Sequence, residues 1–424
     1  VRIYAFQGIT YGGGPARPAA DRGRLAAPPY DQIGDERAAE LHATDPHHFA
    51  WLSKPVAGES GDRHREAARL HDAWLAGGAL AADERPALYP YEIELPDGSR
   101  RLGITALVGL ERPESGVIRP HEETLAKPLA DRLALLRAME VDLEPVLLLS
   151  EDGGELDRLL AEDLDGSRPF TTHRDELGNL HHLHRLDDRE RVLRYRGLLE
   201  PAPAAIADGH HRYKVALRYA EERGLLAAGG ADVPPPAAAT KLAVITSLAS
   251  PALEIRPIHR AFAADPGIAR AAERALAREA VEVSSGRELA GAVAAAEQPA
   301  LGVQRAGERP EVWRLDPNGA GTAALSPGAR QLAVALLHAS LFPAMGLPPE
   351  AASDGTTLYR PDPDVLWGGV AGGSLAVGLY LPPMDPQQFG DAIAGGDMLP
   401  PKSTRFLPKV VSGLVWARHD SRLA

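Results

Sequence analysis

Short apolar runs closed by turn residues recur along this chain of 424 residues and alternate with stretches of helical spacing. Residues 3–9 read as an opening strand, and a Pro-rich loop at 21–31 ends in Tyr30 and Asp31. Helical spacing covers 36–43 and 62–76. Strands are expected at 88–95 and 101–110, joined across Pro96, Asp97 and Gly98, residue types that favour a tight turn. Beyond a boundary near 113–117 come a loop at 119–127, a helix at 128–139 and an apolar strand at 145–149, PVLLL. An acidic helix at 153–162, a histidine-rich segment and a helix at 187–199 lead to a second apolar strand at 204–207. Asp208 and Gly209 then turn the chain into a helix from Arg212 onward, with Val215, Leu217 and Tyr219 among good helix formers. Residues 228–238 (AGGADVPPPAA) read as a polyproline surface connection. Strands at 241–248 and 253–256, Ala-rich helices, a strand near 299–304 and a helix near 329–342 follow. The pattern predicts a mixed α/β (α+β) chain in three units: 1–115, 116–262 and 263–424.

The segment 204–213, AAIADGHHRY, carries the strongest chemical signal. A strand, a glycine turn and a helix start aim free backbone N–H groups at one point, which favours an anion. Gly209 can adopt positive φ and admits an oxygen-rich group close to the backbone. Arg212 is expected to grip phosphate or carboxylate with two parallel hydrogen bonds, and His210 and His211 are donors whose charge is tunable. Asp208 is a base or a Mg²⁺ ligand; the plainer alternative makes it a helix cap.

Four further strings bear on chemistry. In Pro120-His121-Glu122-Glu123-Thr124 a carboxylate pair precedes a helix, an arrangement suited to proton abstraction or, more plainly, to capping. Asp131 and Arg132, further along that helix, read as a solvated pair. Lys402, Ser403 and Thr404, with Lys409, resemble part of a phosphate loop without its glycines, so they fail as a Walker motif. The two lysines still suit a phosphoryl group. His259 and Arg260 end a strand, and His173, His181, His182 and His184 form a run for which zinc is a minor alternative.

Composition narrows the choices. Hydrophobic residues at 44% and charged residues at 25% fit a globular protein. Gly and Pro (42 and 37 residues) stay below the roughly quarter share that marks disorder. With no cysteine, disulfides, thiolate metal sites and a cysteine nucleophile are excluded. No apolar run approaches the ~20 residues of a membrane span, and the first residues lack a signal-peptide pattern, so a cytoplasmic protein is expected. The net charge of −12 argues against non-specific nucleic-acid binding.

Taken in order, PPYD, HEET with the following Asp-Arg, IADGHHRY, RPIHR and PPKSTRFLPKVVSGL resemble the bacterial and archaeal family known as domain of unknown function ten-fifteen. The central portion, PHEE, PVLLL and DGHHR at a helix start, resembles the ParB/sulfiredoxin-like fold, and within it the kinases that phosphorylate free serine. That resemblance implies Glu122 as the base with His121 beside it, and Asp208, His210, His211 and Arg212 at the phosphate end. Residues 150–203, between the two motif strands, form an insertion relative to compact members. The implied function is phosphoryl transfer to a small hydroxylated, amino-acid-like metabolite, or its reversal as phosphoserine dephosphorylation. Catalysis would fall to Glu122, Asp208 and His211. Phosphate binding would fall to Gly209, His210, Arg212 and Lys402, with His121, Glu123, His259 and Arg260 as further candidates. ATP, ADP or pyrophosphate would be the donor, with Mg²⁺. The alternative is a non-catalytic nucleotide- or phosphate-binding regulator; a partition-like nucleic-acid protein is disfavoured by charge.

Overall fold

The computed structural model describes all residues except 13–22, 59–60, 123–125, 227–233 and 298, and only the backbone of 126–128. Glu123 and most of the 228–238 connection therefore lie outside the described residues. Internal contacts divide the chain into two compact units. The first comprises 1–120, 124–253 and 408–424; the second comprises 121–123 and 254–407.

The first unit is built on a nine-stranded mixed sheet. Its strands are β1 (Ile3–Tyr4), β2 (Tyr89–Glu94), β3 (Arg100–Gly109), β4 (Ile118–Arg119), β5 (Val146–Ser150), β6 (Thr171–Arg174), β7 (Leu180–Leu183), β8 (Ala204–Asp208) and β9 (Thr240–Ser247). They run in the order β4-β8-β5-β9-β3-β2-β7-β6, with β1 on β3. β5 and β9 are parallel neighbours and every residue of both is buried, which is why they read as unbroken apolar runs rather than as alternation. Around the sheet lie α1 (Arg63–Ala76), α2 (Ala126–Met139), α3 (Glu155–Leu164), α4 (Arg189–Leu199) and α5 (His210–Glu222). Leu156, Leu159, Leu160 and Leu164 of α3 form a stripe in the main core with Ile104, Val146, Leu148 and Ile245. A smaller cluster joins Leu133 of α2 to Val215 and Tyr219 of α5.

The boundary expected near 115 does not separate two sheets. Strands from 1–115 and from 116–262 share the nine-stranded sheet, β3 pairing β9 from Thr240↔Gly109 to Ile245↔Ile104. Pro113–Ser115 is a single turn of helix ended by Gly116 at φ 69°, so its punctuation marks a turn and not a linker. The C-terminal residues also return to this unit, Ala417 and Arg418 pairing with Asp142 and Val141.

The second unit carries a six-stranded sheet. Its strands are β10 (His259–Phe262), β11 (Ala275–Ala280), β12 (Ala300–Arg305), β13 (Glu311–Leu315), β14 (Leu358–Arg360) and β15 (Val377–Tyr380), in the order β11-β13-β12-β15-β10-β14. A ribbon pairs Glu254–Arg256 with Arg405–Leu407. The helix expected at 329–342 is broken. A short α-helix at Ala333–Leu336 passes into a π-helical stretch at Leu337–Leu341 before α-helix resumes at Phe342–Met345. No helix among the described residues is long and apolar enough to cross a membrane.

Candidate functional site

The Asp208 segment closes the end of β8. The pairing of β8 with β5 slips between Ile206 and Asp208, a bulge that re-aims the last side chain of the strand. Gly209 follows at φ 92°, in the left-handed region, and α5 starts at His210, two residues before the sequence reading placed it. A Cβ on Gly209 would lie 2.9 Å from Arg212 Nε and 3.0 Å from Val146 Cγ1. Both the backbone and the space therefore demand glycine. Gly209→Ala is expected to lower stability by about 1–2 kcal/mol from the left-handed backbone alone, and more once Arg212 is pushed aside. Urea unfolding measures this, and an unchanged midpoint would contradict the geometry.

Arg212 does not project toward a ligand as the sequence reading expected. It is 7% exposed. One terminal nitrogen donates to the Pro145 carbonyl and the other to the Asp208 carboxylate. The other Asp208 oxygen accepts from Lys409. Burial pushes the Asp208 carboxyl up, but the charges of Lys409 and Arg212 outweigh it and hold the group down at about 2. Asp208 is thus a fixed anion between two cations. A Mg²⁺ ion there would have to displace both, so the residues do not fit the metal role expected of Asp208. Among the described residues no three His, Asp or Glu side chains are grouped to hold a metal. The histidine run is spent on local hydrogen bonds instead: His182 Nδ1 meets Thr172 Oγ1 at 2.9 Å and His184 Nδ1 meets Ser167 Oγ at 2.9 Å.

What remains at the start of α5 is a half-exposed turn. Gly209, His210 and His211 are partly accessible, and Gly209, at the N-cap position, supplies no side-chain cap. Lys409 stands beside it at 24% side-chain exposure. The positive end of a 13-residue helix dipole, the Lys409 ammonium paired with Asp208 and two imidazoles meet at this turn.

Beneath this turn lies a buried ionic layer that the sequence reading missed. Lys241, on fully buried β9, donates to Asp142 Oδ1 and to the Glu144 carbonyl, the latter at 2.8 Å. Burial pushes the Glu144 carboxyl up, opposed by Arg212 and Arg132. Arg132, expected as half of a solvated pair, is only 10% exposed at its side chain. It pairs with Asp131, donates to the Ser53 carbonyl at 2.7 Å and stacks 4.4 Å above the Tyr30 ring. Burial first and Asp31 next push the Tyr30 hydroxyl up to about 12. The available signal was an isolated lysine inside an apolar strand, TKLAVITS, which has to find a partner.

A second cluster of motif residues belongs wholly to the second unit. The Lys402 backbone sits at φ 59°, and its N–H donates to Glu122 Oε1 at 3.1 Å. His121 is buried between the rings of Phe389 and Phe406, with Nε2 2.9 Å from Thr404 Oγ1. Arg260 is fully buried and donates to the carbonyls of Ile258, Pro401 and Lys402. His259 Nδ1 accepts the Leu381 N–H at 3.1 Å. His121, Glu122, His259 and Arg260 thus shape and hold the 400–404 turn, while the Lys402 side chain is exposed. The motif residues fall into two sets: Tyr30, Asp208–Arg212 and Lys409 in the first unit, and His121, Glu122, His259, Arg260 and Lys402 in the second.

Several solved structures resemble the chain at low identity. A free serine kinase in complex with AMP matches at 14% identity and a TM-score of 0.35, over 69% of this chain and 84% of that one. A conserved hypothetical protein from Pyrococcus furiosus matches at 13% and 0.34, over 70% and 91%. SbnI with a C-terminal truncation, from Staphylococcus aureus, matches at 11% and 0.37, over 72% and 85%. At such scores the likeness transfers no activity to this chain. No curated protein matches it. A family model described as "Protein of unknown function (DUF1015)" matches residues 3–323, well over half of the chain, and the protein belongs to that family.

Proposed function

We propose that the first unit binds the phosphate groups of a nucleotide or of pyrophosphate at the start of α5, and that the protein moves a phosphoryl group to or from a small hydroxylated metabolite. The observation that carries this reading is the helix start that follows Gly209 at φ 92°, with Lys409, His210 and His211 beside it. Phosphoryl transfer asks for positioning and charge neutralisation more than for covalent help, and these groups supply both. In the forward direction the acceptor oxygen bonds to phosphorus, the bond to the donor's leaving oxygen breaks, and the acceptor proton passes to a base. Glu122 enters as that base from the sequence resemblance alone. Arg212 acts indirectly, by fixing Asp208 and through it Lys409. The proposal places no metal on Asp208.

Titration calorimetry with ADP, ATP and pyrophosphate tests the binding step, and ³¹P NMR with ATP and L-serine tests turnover. Lys409→Ala is expected to weaken pyrophosphate or nucleotide binding at least tenfold, and Glu122→Gln to lower turnover roughly 100-fold, as loss of a general base does. Full affinity in Lys409→Ala would remove the proposed site. The locked Asp208 favours a second reading, a non-catalytic nucleotide- or phosphate-binding regulator, which predicts binding without any phosphorylated product.

A further inference from the structure

A cavity of about 490 Å³ opens in the first unit between β1 and one side of α4, within the roughly 300–1,000 Å³ of small-molecule sites. Arg189, Val192, Leu193 and Arg196 of α4 line it, at positions i, i+3, i+4 and i+7 and so on one face of the helix. Arg191 and Arg194 of the same helix do not line it, and each has an acidic partner, Asp163 at 3.6 Å and Glu162 at 3.5 Å. The guanidinium groups of Arg189 and Arg196 make no ion pair or hydrogen bond among the described residues, although Arg189 is exposed and Arg196 only half-exposed. Arg196 lies 6.0 Å from the centre of the Tyr4 ring. Tyr4 lines the cavity too and is 6% exposed; its hydroxyl bonds to no described residue and is not among the atoms shut off from solvent. An open cavity thus holds unspent donors that an occupant can reach.

Charge and apolar surface restrict what that occupant is. Four arginines line the cavity against the side chains of Asp187 and Glu200. Arg2 and Arg85 are spent on Glu111 and Asp187, both at 2.8 Å. The Ala424 carbonyl oxygen, also in the wall, is taken by the Ala5 N–H at 2.9 Å. Glu200 lies one helical turn past Arg196, so an anion is favoured on the side of Arg196 that faces Arg189, over Val192 and Leu193. Leu193 is 50% exposed there. An isolated exposed leucine is ordinary, but this one stands between two unpaired guanidinium groups. An inorganic anion would leave Leu193 in water, and a neutral apolar molecule would leave the guanidinium groups unused. We propose that this cavity binds an organic carboxylate with a short hydrocarbon body. Arg196 grips the carboxylate with two parallel N–H bonds and the Tyr4 hydroxyl donates a third. The body lies over Val192 and Leu193 toward the stem of Arg189, whose backbone is about 10 Å further along the helix. This site does not depend on phosphate binding at α5.

Hexanoate is the probe, with hexanamide as its neutral counterpart, hexylammonium as its cationic one and inorganic phosphate as an anion without a hydrocarbon body. Ile3, Val192 and Leu193 line the cavity, so their methyl NMR signals report its occupation directly. Hexanoate is expected to shift them saturably in the millimolar range, and the other three probes to bind at least fivefold more weakly. Arg196→Gln, which keeps most of the stem, is expected to weaken hexanoate binding at least fivefold, and Tyr4→Phe, which removes only the hydroxyl, at least twofold. Unchanged hexanoate affinity in either folded variant overturns the proposal. Absence of saturable shifts, or binding of hexanamide, hexylammonium or phosphate as tight as that of hexanoate, overturns it too. Pyrophosphate affinity is expected to be unchanged in Arg196→Gln, so each of the two sites can fail without the other.

Discussion

Acidification from pH 6.5 toward 4 is expected to destabilise the first unit by several kcal/mol, with His181 and His48 carrying much of the loss. His181 lies on β7 with no exposed surface. Its Nε2 is 3.1 Å from Asp175 Oδ2 and its Nδ1 is 2.6 Å from the Tyr91 hydroxyl. A carboxylate only accepts, so Nε2 carries the proton and Nδ1 accepts from Tyr91, which fixes a neutral ring. Burial holds His181 down at about 4, outweighing the attraction of Asp175. His48, 2% exposed, is also held at about 4 by burial. For a histidine whose folded pKa lies below the unfolded value, the stabilising contribution is complete above about 6.5 and is lost as pH falls toward 4. One pKa unit is about 1.4 kcal/mol, so each residue accounts for roughly 2 kcal/mol by pH 5 and about 3 by pH 4. Asp208 acts in a lower window, between its unfolded value near 4 and about 2. Glu144 has the opposite sign: its raised pKa makes ionisation above the ordinary carboxylate range a cost. Urea midpoints at pH 7, 6 and 5 read the result. In His181→Gln the slope should flatten, and a wild type whose midpoint does not move over this range would refute the account.

The individual elements were legible because their signals are local. VLLLS and LAVITS are continuous apolar runs on buried parallel strands, and the α3 leucines repeat with helical spacing. What pairs with what was not legible. Asp208 meets Lys409 two hundred residues on, and Glu122 meets the Lys402 backbone. Neither pairing leaves a mark in the neighbouring sequence. The 113–117 punctuation reads as a domain boundary because a Pro-Gly turn within a sheet has the same composition as one between domains. Arg212 is the instructive case. Its residue type and its place after Gly209 pointed to an anion, yet Arg212, Val215, Ala216 and Tyr219 fall at positions i, i+3, i+4 and i+7 and all are buried. Helical periodicity alone had put the guanidinium on the inner face. Residue type said what Arg212 can bind; periodicity said that it faces protein.

Lys241→Met is expected to lower stability by about 3–5 kcal/mol, the range seen when one partner of a buried ion pair is removed. The Lys241 side chain is 4% exposed and its ammonium donates to Asp142, whose other oxygen accepts the Leu242 N–H at 2.7 Å. Without Lys241 the carboxylate keeps only that backbone donor, and the Glu144 carbonyl loses its partner as well. The pair itself is not an obvious source of stability, since burial holds the lysine below its ordinary value despite the pull of Asp142. Desolvation therefore exceeds attraction for the charged form. It follows that Lys241→Met combined with Asp142→Leu should recover much of the loss, because the apolar pair carries no desolvation penalty. Urea unfolding of the two single variants and the double variant separates the terms. A large loss in each single variant and a small one in the double variant is the expected pattern. Equal, additive losses would mean that the two side chains do not act as a pair, and a Lys241→Met midpoint near that of the wild type would mean that the ammonium is not buried on β9 at all.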